Sequence, residues 1–150
     1  MTPADQTFMR QAIALAAGRL GQTGDNPAVG CVLVVGGEVI EAQATGATGR
    51  PHAEEAVLAK AGERAKGATA YVTLEPCAER SAGGASCAQR LAEAGVTRVV
   101  IACADPSKFA SGRGAQILEE AGVLVEIGIL EGEARSLYST YRPHLPERRD

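Results

Sequence analysis

The chain has 150 residues, 45% hydrophobic and 22% charged, a length that suits one domain able to bury a core without metal or disulfide staples. A net charge of −3 and a pI near 5.5 argue against general attraction to a phosphate backbone, and 3% aromatic residues with no Trp argue against a stacking platform for single-stranded nucleic acid. The apolar runs fall short of a membrane span and the start, Met1-Thr2-Pro3-Ala4-Asp5-Gln6, is no apolar leader, so the four cysteines read as reduced thiols of a cytoplasmic protein.

Thr2-Pro3-Ala4-Asp5 has the form of a helix start: a hydroxyl cap, proline at the first helical position and an acid three residues after the cap. Met9, Ile13, Ala16 and Leu20 continue at helical spacing up to Gly21. Val29 to Val35 is rich in β-branched residues, and Gly36-Gly37 joins it to Glu38 to Thr45, which predicts a hairpin. His52 to about Arg64 predicts a helix whose first turn holds His52 and Glu54, and Ala70 to Leu74 a buried strand that delivers Cys77 at its C-terminal edge. Cys87 to Ala94, Gly114 to Ala121 and a tail from Glu131 to about Tyr141 read as helices, and Arg98 to Ala104 and Leu124 to Leu130 as strands. Strands joined through helices after Ala70 imply a parallel half beside an antiparallel hairpin, hence a single-domain, three-layer α/β/α sandwich over residues 1–150 with a mixed five-stranded sheet.

Pro51-His52-Ala53-Glu54, Pro76-Cys77 and Cys87 carry the chemistry. A catalytic zinc takes three nitrogen or thiolate ligands and leaves a fourth position for water, which it acidifies. His52, Cys77 and Cys87 supply such a set, and Glu54, two residues after the histidine, can face the ion as general acid and base without binding it. A His-x-Glu followed by Pro-Cys-x-x-Cys is the signature of zinc nucleobase deaminases; here the first half matches and the second is stretched, with Cys87 ten positions after Cys77. Two other readings stand beside this one. The cysteines would serve as small buried apolar residues or a disulfide, or the zinc would be structural, with Cys31 or Cys103 as fourth ligand. Both of those lie in apolar strand-like runs and read as core thiols.

Taken together, Asn26-Pro27-Ala28-Val29-Gly30, Pro51-His52-Ala53-Glu54, Tyr71-Val72-Thr73-Leu74-Glu75-Pro76-Cys77, Asp105-Pro106 and Gly112-Arg113-Gly114 make the chain resemble the cytidine deaminase-like zinc hydrolases. Within them it looks most like the deaminase domain of the bifunctional bacterial riboflavin-biosynthesis enzyme, where a long excursion separates the two cysteines. The resemblance implies zinc on His52, Cys77 and Cys87, proton transfer by Glu54, and substrate contacts from Asn26 and the amide of Ala53; Thr45, Arg80 and Asp105 are further candidate substrate-binding residues. It implies hydrolysis of an exocyclic amine on a diaminopyrimidinone ribosylamino phosphate, a homodimer or homotetramer, and a small-molecule pyrimidine as partner in place of nucleic acid or membrane. Arg50, Arg80, Lys108 and Arg113 are candidate phosphate partners, with solvated surface charge as the alternative for each. The chain departs from that branch at Thr45, where its members carry a histidine, and in the Ala78 to Ser86 loop. These departures prompt a second expectation, deamination of a free base, nucleoside or other heterocycle; a non-catalytic zinc module supporting a partner enzyme is the third. Members of that branch are often fused to a reductase, so a chain stopping at Asp150 implies either a separate reductase or a different substrate.

Overall fold

A computed structural model describes residues 2–24, 26–78, 85–104 and 112–138. Helix α1 (Pro3–Ala17) starts as expected: Thr2 accepts from the Asp5 amide, Asp5 accepts from the Thr2 amide, and Pro3 occupies the first turn. It ends before Leu20, because Gly18 caps it and the amides of Arg19 and Leu20 turn back to Ala16 and Ala17. Leu20 fits the helical spacing but is half exposed, so no core contact extends the helix to reach it.

Strands β1 (Gly30–Val35) and β2 (Glu38–Ala44) form the antiparallel hairpin, with Val35 opposite Glu38. Gly36 and Gly37 both have positive φ (59° and 83°), the conformation a two-residue turn needs to match strand twist. Helix α2 (Ala53–Ala61) stops short of Arg64 because Gly62 adopts φ 56°, and 62–65 tightens into a 3₁₀ turn. Then follow β3 (Thr69–Leu74), α3 (Cys87–Glu93), β4 (Arg98–Cys103), α4 (Arg113–Glu120), β5 (Leu124–Ile127) and α5 (Glu131–Arg135), with a 3₁₀ turn over Ser136–Tyr138. Strand β5 ends three residues earlier than Leu130, since Gly128 and Leu130 take left-handed φ values of 105° and 55° that break the extended run.

The sheet order is β2-β1-β3-β4-β5: β1 runs antiparallel to β2 and β3, while β3, β4 and β5 are parallel. Helices α1 and α5 lie on one face, linked by Arg10 and Glu133, and α2, α3 and α4 on the other, giving the three-layer mixed five-stranded sandwich. Alternation along the strands sorts the core. Gly30 faces α1 so closely that a Cβ there would collide with the Ala12 carbonyl, and its neighbours Tyr71 and Thr73 face the same way. Cys31 and Cys103 are buried and outside any disulfide, as core thiols should be; burial, followed by the nearby Glu131 charge, pushes the Cys103 thiol up.

On the α1 face a buried polar cluster ties helix to sheet. Arg98 donates from Nη1 and Nη2 to Asp5 Oδ1 and Oδ2, both at 2.9 Å, the Tyr71 hydroxyl donates to Asp5 Oδ1 at 2.6 Å, and Arg98 Nε reaches Glu126 at 2.8 Å. Arg98 holds the Asp5 carboxyl well below the usual carboxylate range, while burial and then Asp5 push the Tyr71 hydroxyl up to about 12. No helix among the described residues is long and apolar enough to cross a membrane.

Candidate metal centre

Three elements of the opposite half converge at the C-terminal edge of β3. His52 is the N-cap of α2, in extended conformation, and its amide donates to Glu55 Oε1 at 3.2 Å, the returning half of a capping box. Cys77 follows β3 by three residues. Cys87 opens α3, whose start is fixed by Ser86: its hydroxyl accepts from the Gln89 amide at 3.1 Å and its own amide donates to the Gln89 side chain at 2.8 Å. The sequence thus places each donor beside a helix start or strand exit, where a short polar cap sets the backbone direction.

His52, Cys77 and Cys87 are all buried, and their donor atoms lie within 4.8 Å of one another. His52 Nδ1 is 3.2 Å from Cys87 Sγ, and Cys77 Sγ accepts from the Cys87 amide at 3.3 Å. Corners of a tetrahedron with zinc-like bond lengths are separated by about 3.6 Å (N to S) and about 3.8 Å (S to S), so the trio has the size of one tetrahedral face. Its polar bookkeeping also fits a cation. His52 Nδ1 faces the Cys87 sulfur, a weak hydrogen-bond partner but a good metal ligand as a thiolate, and Glu55 Oε1 is no nearer than 3.9 Å; Nε2, on the other side of the ring, is buried without a hydrogen-bond partner among the described residues. Soft sulfur and imidazole donors suit zinc over magnesium or calcium.

Glu54 occupies the first turn of α2, fully buried, two residues after His52. Ala53, also buried, is the first residue of α2, where amides have no partner within the helix. Asn26 is tied to the chain that leads into His52: its Nδ2 donates to the Gly49 carbonyl at 3.2 Å, and its own carbonyl accepts from Thr23 Oγ1 at 2.6 Å. Thr45 is buried, with its hydroxyl on the amide of Val29 at 2.9 Å, so it braces the end of the Asn26 to Val29 loop. Arg80, Asp105 and Lys108 lie outside the described residues. Arg50 is exposed just ahead of His52, and Arg113 is the first residue of α4.

Sequence reasoning passed over Glu75, Glu55 and Tyr138. Glu75 is fully buried, and Glu55 bridges from the His52 amide toward Arg90 of α3, 3.9 Å away. The Tyr138 hydroxyl lies 2.7 Å from Thr73 Oγ1 and donates to the Ala28 carbonyl at 2.9 Å, bracing the Asn26 loop from the far face. A glutamate between a buried strand and Pro-Cys was the visible signal for Glu75; its partners were not, because they come from a helix 37 to 40 positions away.

Residues 2–103 match the model of the cytidine and deoxycytidylate deaminase zinc-binding region. The chain is 40% identical over 145 residues to the riboflavin biosynthesis protein RibD of Aquifex aeolicus, covering 97% of this chain and 40% of that protein. It superposes on Acinetobacter baumannii RibD with a TM-score of 0.86 at 48% identity, over 92% of this chain and 38% of that one. A diaminohydroxyphosphoribosylaminopyrimidine deaminase/5-amino-6-(5-phosphoribosylamino)uracil reductase from Thermotoga maritima matches with a TM-score of 0.83 at 36% identity, over 93% of this chain and 42% of that one. The chain therefore spans about two fifths of the length of these relatives.

Proposed function

The chain belongs to the cytidine and deoxycytidylate deaminase zinc-binding family, and from that premise we propose that it is a hydrolytic deaminase of a diaminohydroxy-phosphoribosylaminopyrimidine, acting in riboflavin biosynthesis. The observation that carries the reading is the buried His52, Cys77 and Cys87 trio, with Glu54 buried in the helix turn that follows His52. A zinc ion held there would supply Lewis acidity and lower the pKa of a water molecule.

The protein's own groups then divide the work. His52, Cys77 and Cys87 hold the ion, with the imidazole and both sulfurs fixed by the starts of α2 and α3. Glu54 takes a proton from the attacking water and delivers it to the ring nitrogen next to the amino-bearing carbon. The water oxygen bonds to that carbon, the carbon–nitrogen bond breaks, and a second proton passing through Glu54 lets the amine leave as ammonia. The Ala53 amide at the start of α2 binds a ring carbonyl, and Asn26 orients the sugar-bearing side of the substrate. Thr45 acts on the pocket through the Val29 amide, shaping the loop that carries Asn26. Arg80 and Asp105 are assigned to substrate binding, with Arg50 or Arg113 as further phosphate partners. The protein works in the cytoplasm as a homodimer or homotetramer on a small-molecule pyrimidine.

The rival substrate class, a free base or nucleoside, is favoured by Thr45, whose hydroxyl is engaged with backbone. Ammonia release from the diaminopyrimidine ribosylamino phosphate and from its dephosphorylated form separates the two. Turnover confined to the phosphorylated form is expected, and equal turnover on both would overturn the assignment. Glu54→Gln should keep the fold and the metal and lose about 10²- to 10⁴-fold in turnover. Full activity in that variant would overturn Glu54 as the proton carrier.

A further inference from the structure

Glu75 is a fully buried carboxylate at the exit of β3, with no role in the chemistry above. Its two oxygens accept from separate amides of another element: Gly112 N at 3.0 Å on Oε1 and Ala115 N at 3.1 Å on Oε2. These are the amides at the open end of α4, whose N-cap, Gly112, has no side chain to satisfy them. The same contact explains Gly114. A Cβ there would run into the Pro76 carbonyl, so the bare backbone of α4 lies directly on the turn between Glu75 and Cys77.

Two clamps thus close on Cys77. Downstream, α3 donates the Ala88 amide to the Cys77 carbonyl at 3.1 Å and the Cys87 amide to its sulfur. Upstream, Glu75 is fixed by its own amide on the Cys103 carbonyl at 2.9 Å and by its side chain on α4. We propose that Glu75 is a positioning residue for the metal site, latching the start of α4 onto the Pro76 turn so that the Cys77 sulfur is held where His52 and Cys87 converge. The inference rests on the reading of Cys77 as a metal ligand. A carboxylate suits this duty because two N–H donors require two acceptors; a glutamine turns its own NH₂ toward one of them.

Zinc affinity measured by competition with a chromophoric chelator tests the latch without recourse to substrate. Glu75→Gln, similar in volume, should bind zinc about 10- to 100-fold more weakly than wild type, the scale expected for a group that orients a ligand. Glu75→Ala should lose more if it folds by circular dichroism, and Glu75→Gln decides the matter if it does not. Asp5→Asn serves as the control for destabilisation on the opposite face and should bind zinc as wild type does. Wild-type affinity in Glu75→Gln, or an equal loss in Asp5→Asn, overturns the positioning role. If wild type binds zinc and Cys77→Ser does not, a failure of the Glu75 variants removes only this inference; if wild type itself fails to bind zinc, the metal reading falls with it.

Discussion

Two buried polar clusters sit on opposite faces of one sheet and obey opposite rules. On the α1 face, Asp5 receives Arg98, Tyr71 and the Thr2 amide, so its charge is met by protein donors on every side. At the C-terminal edge of β3, His52, Cys77 and Cys87 present lone-pair donors to one another, and a ring nitrogen is left without a partner among the described residues. The first cluster is therefore a hydrogen-bonded structural tie, whereas the second sets soft metal-ligand atoms against one another, an arrangement that a cation would bridge. The contrast separates a hydrogen-bonded structural tie from a set of potential metal ligands, without reference to any relative.

Breaking each cluster should therefore give different signatures. Cys87→Ala is expected to have the largest effect: loss of bound zinc and of all measurable ammonia release, with wild-type stability restored neither by chelator nor by added metal. Chelation should lower the melting temperature of wild type and leave that of the variant unchanged, because only the chain that binds zinc gains stability from it. An equal chelator response in both would place the metal elsewhere. Asp5→Asn should do the reverse, costing about 3 kcal/mol in denaturant unfolding by removing one partner of a buried ion pair while zinc content stays at the wild-type level.

The smallest effect sharpens the same comparison through pH. Because Arg98 holds the folded Asp5 carboxyl below its ordinary value, its contribution is fully present above about pH 4 and is lost as pH falls through the lower folded value. The stability gap between wild type and Asp5→Asn should be constant near neutrality and narrow on acidification below about pH 4. A gap that widens with acid would show that the ion pair is not the source of the difference.

Much of this was legible in the sequence, for local reasons. The Thr2 capping box, the Gly36-Gly37 turn and the order of strands and helices are written in short-range residue types, and His52, Glu54, Cys77 and Cys87 are chemically distinctive at their spacing. What escaped depended on contacts distant in sequence. The end of α1 at Ala17 hinges on Leu20 finding no core, and the end of β5 on left-handed backbone at Gly128 and Leu130. Glu75 reads as part of a motif until the fold brings the start of α4 onto it. Thr45 and Asn26 are placed by hydrogen bonds to backbone atoms that no side-chain pattern encodes.

The central claim is that one imidazole and two sulfurs bind a single ion, and zinc K-edge X-ray absorption on the purified protein reads that set directly. The account predicts one zinc per chain with two sulfur neighbours at about 2.3 Å and nitrogen or oxygen neighbours at about 2.0 Å, one sulfur being lost in Cys77→Ser. A shell of oxygen and nitrogen alone, or one of four sulfurs, would contradict it.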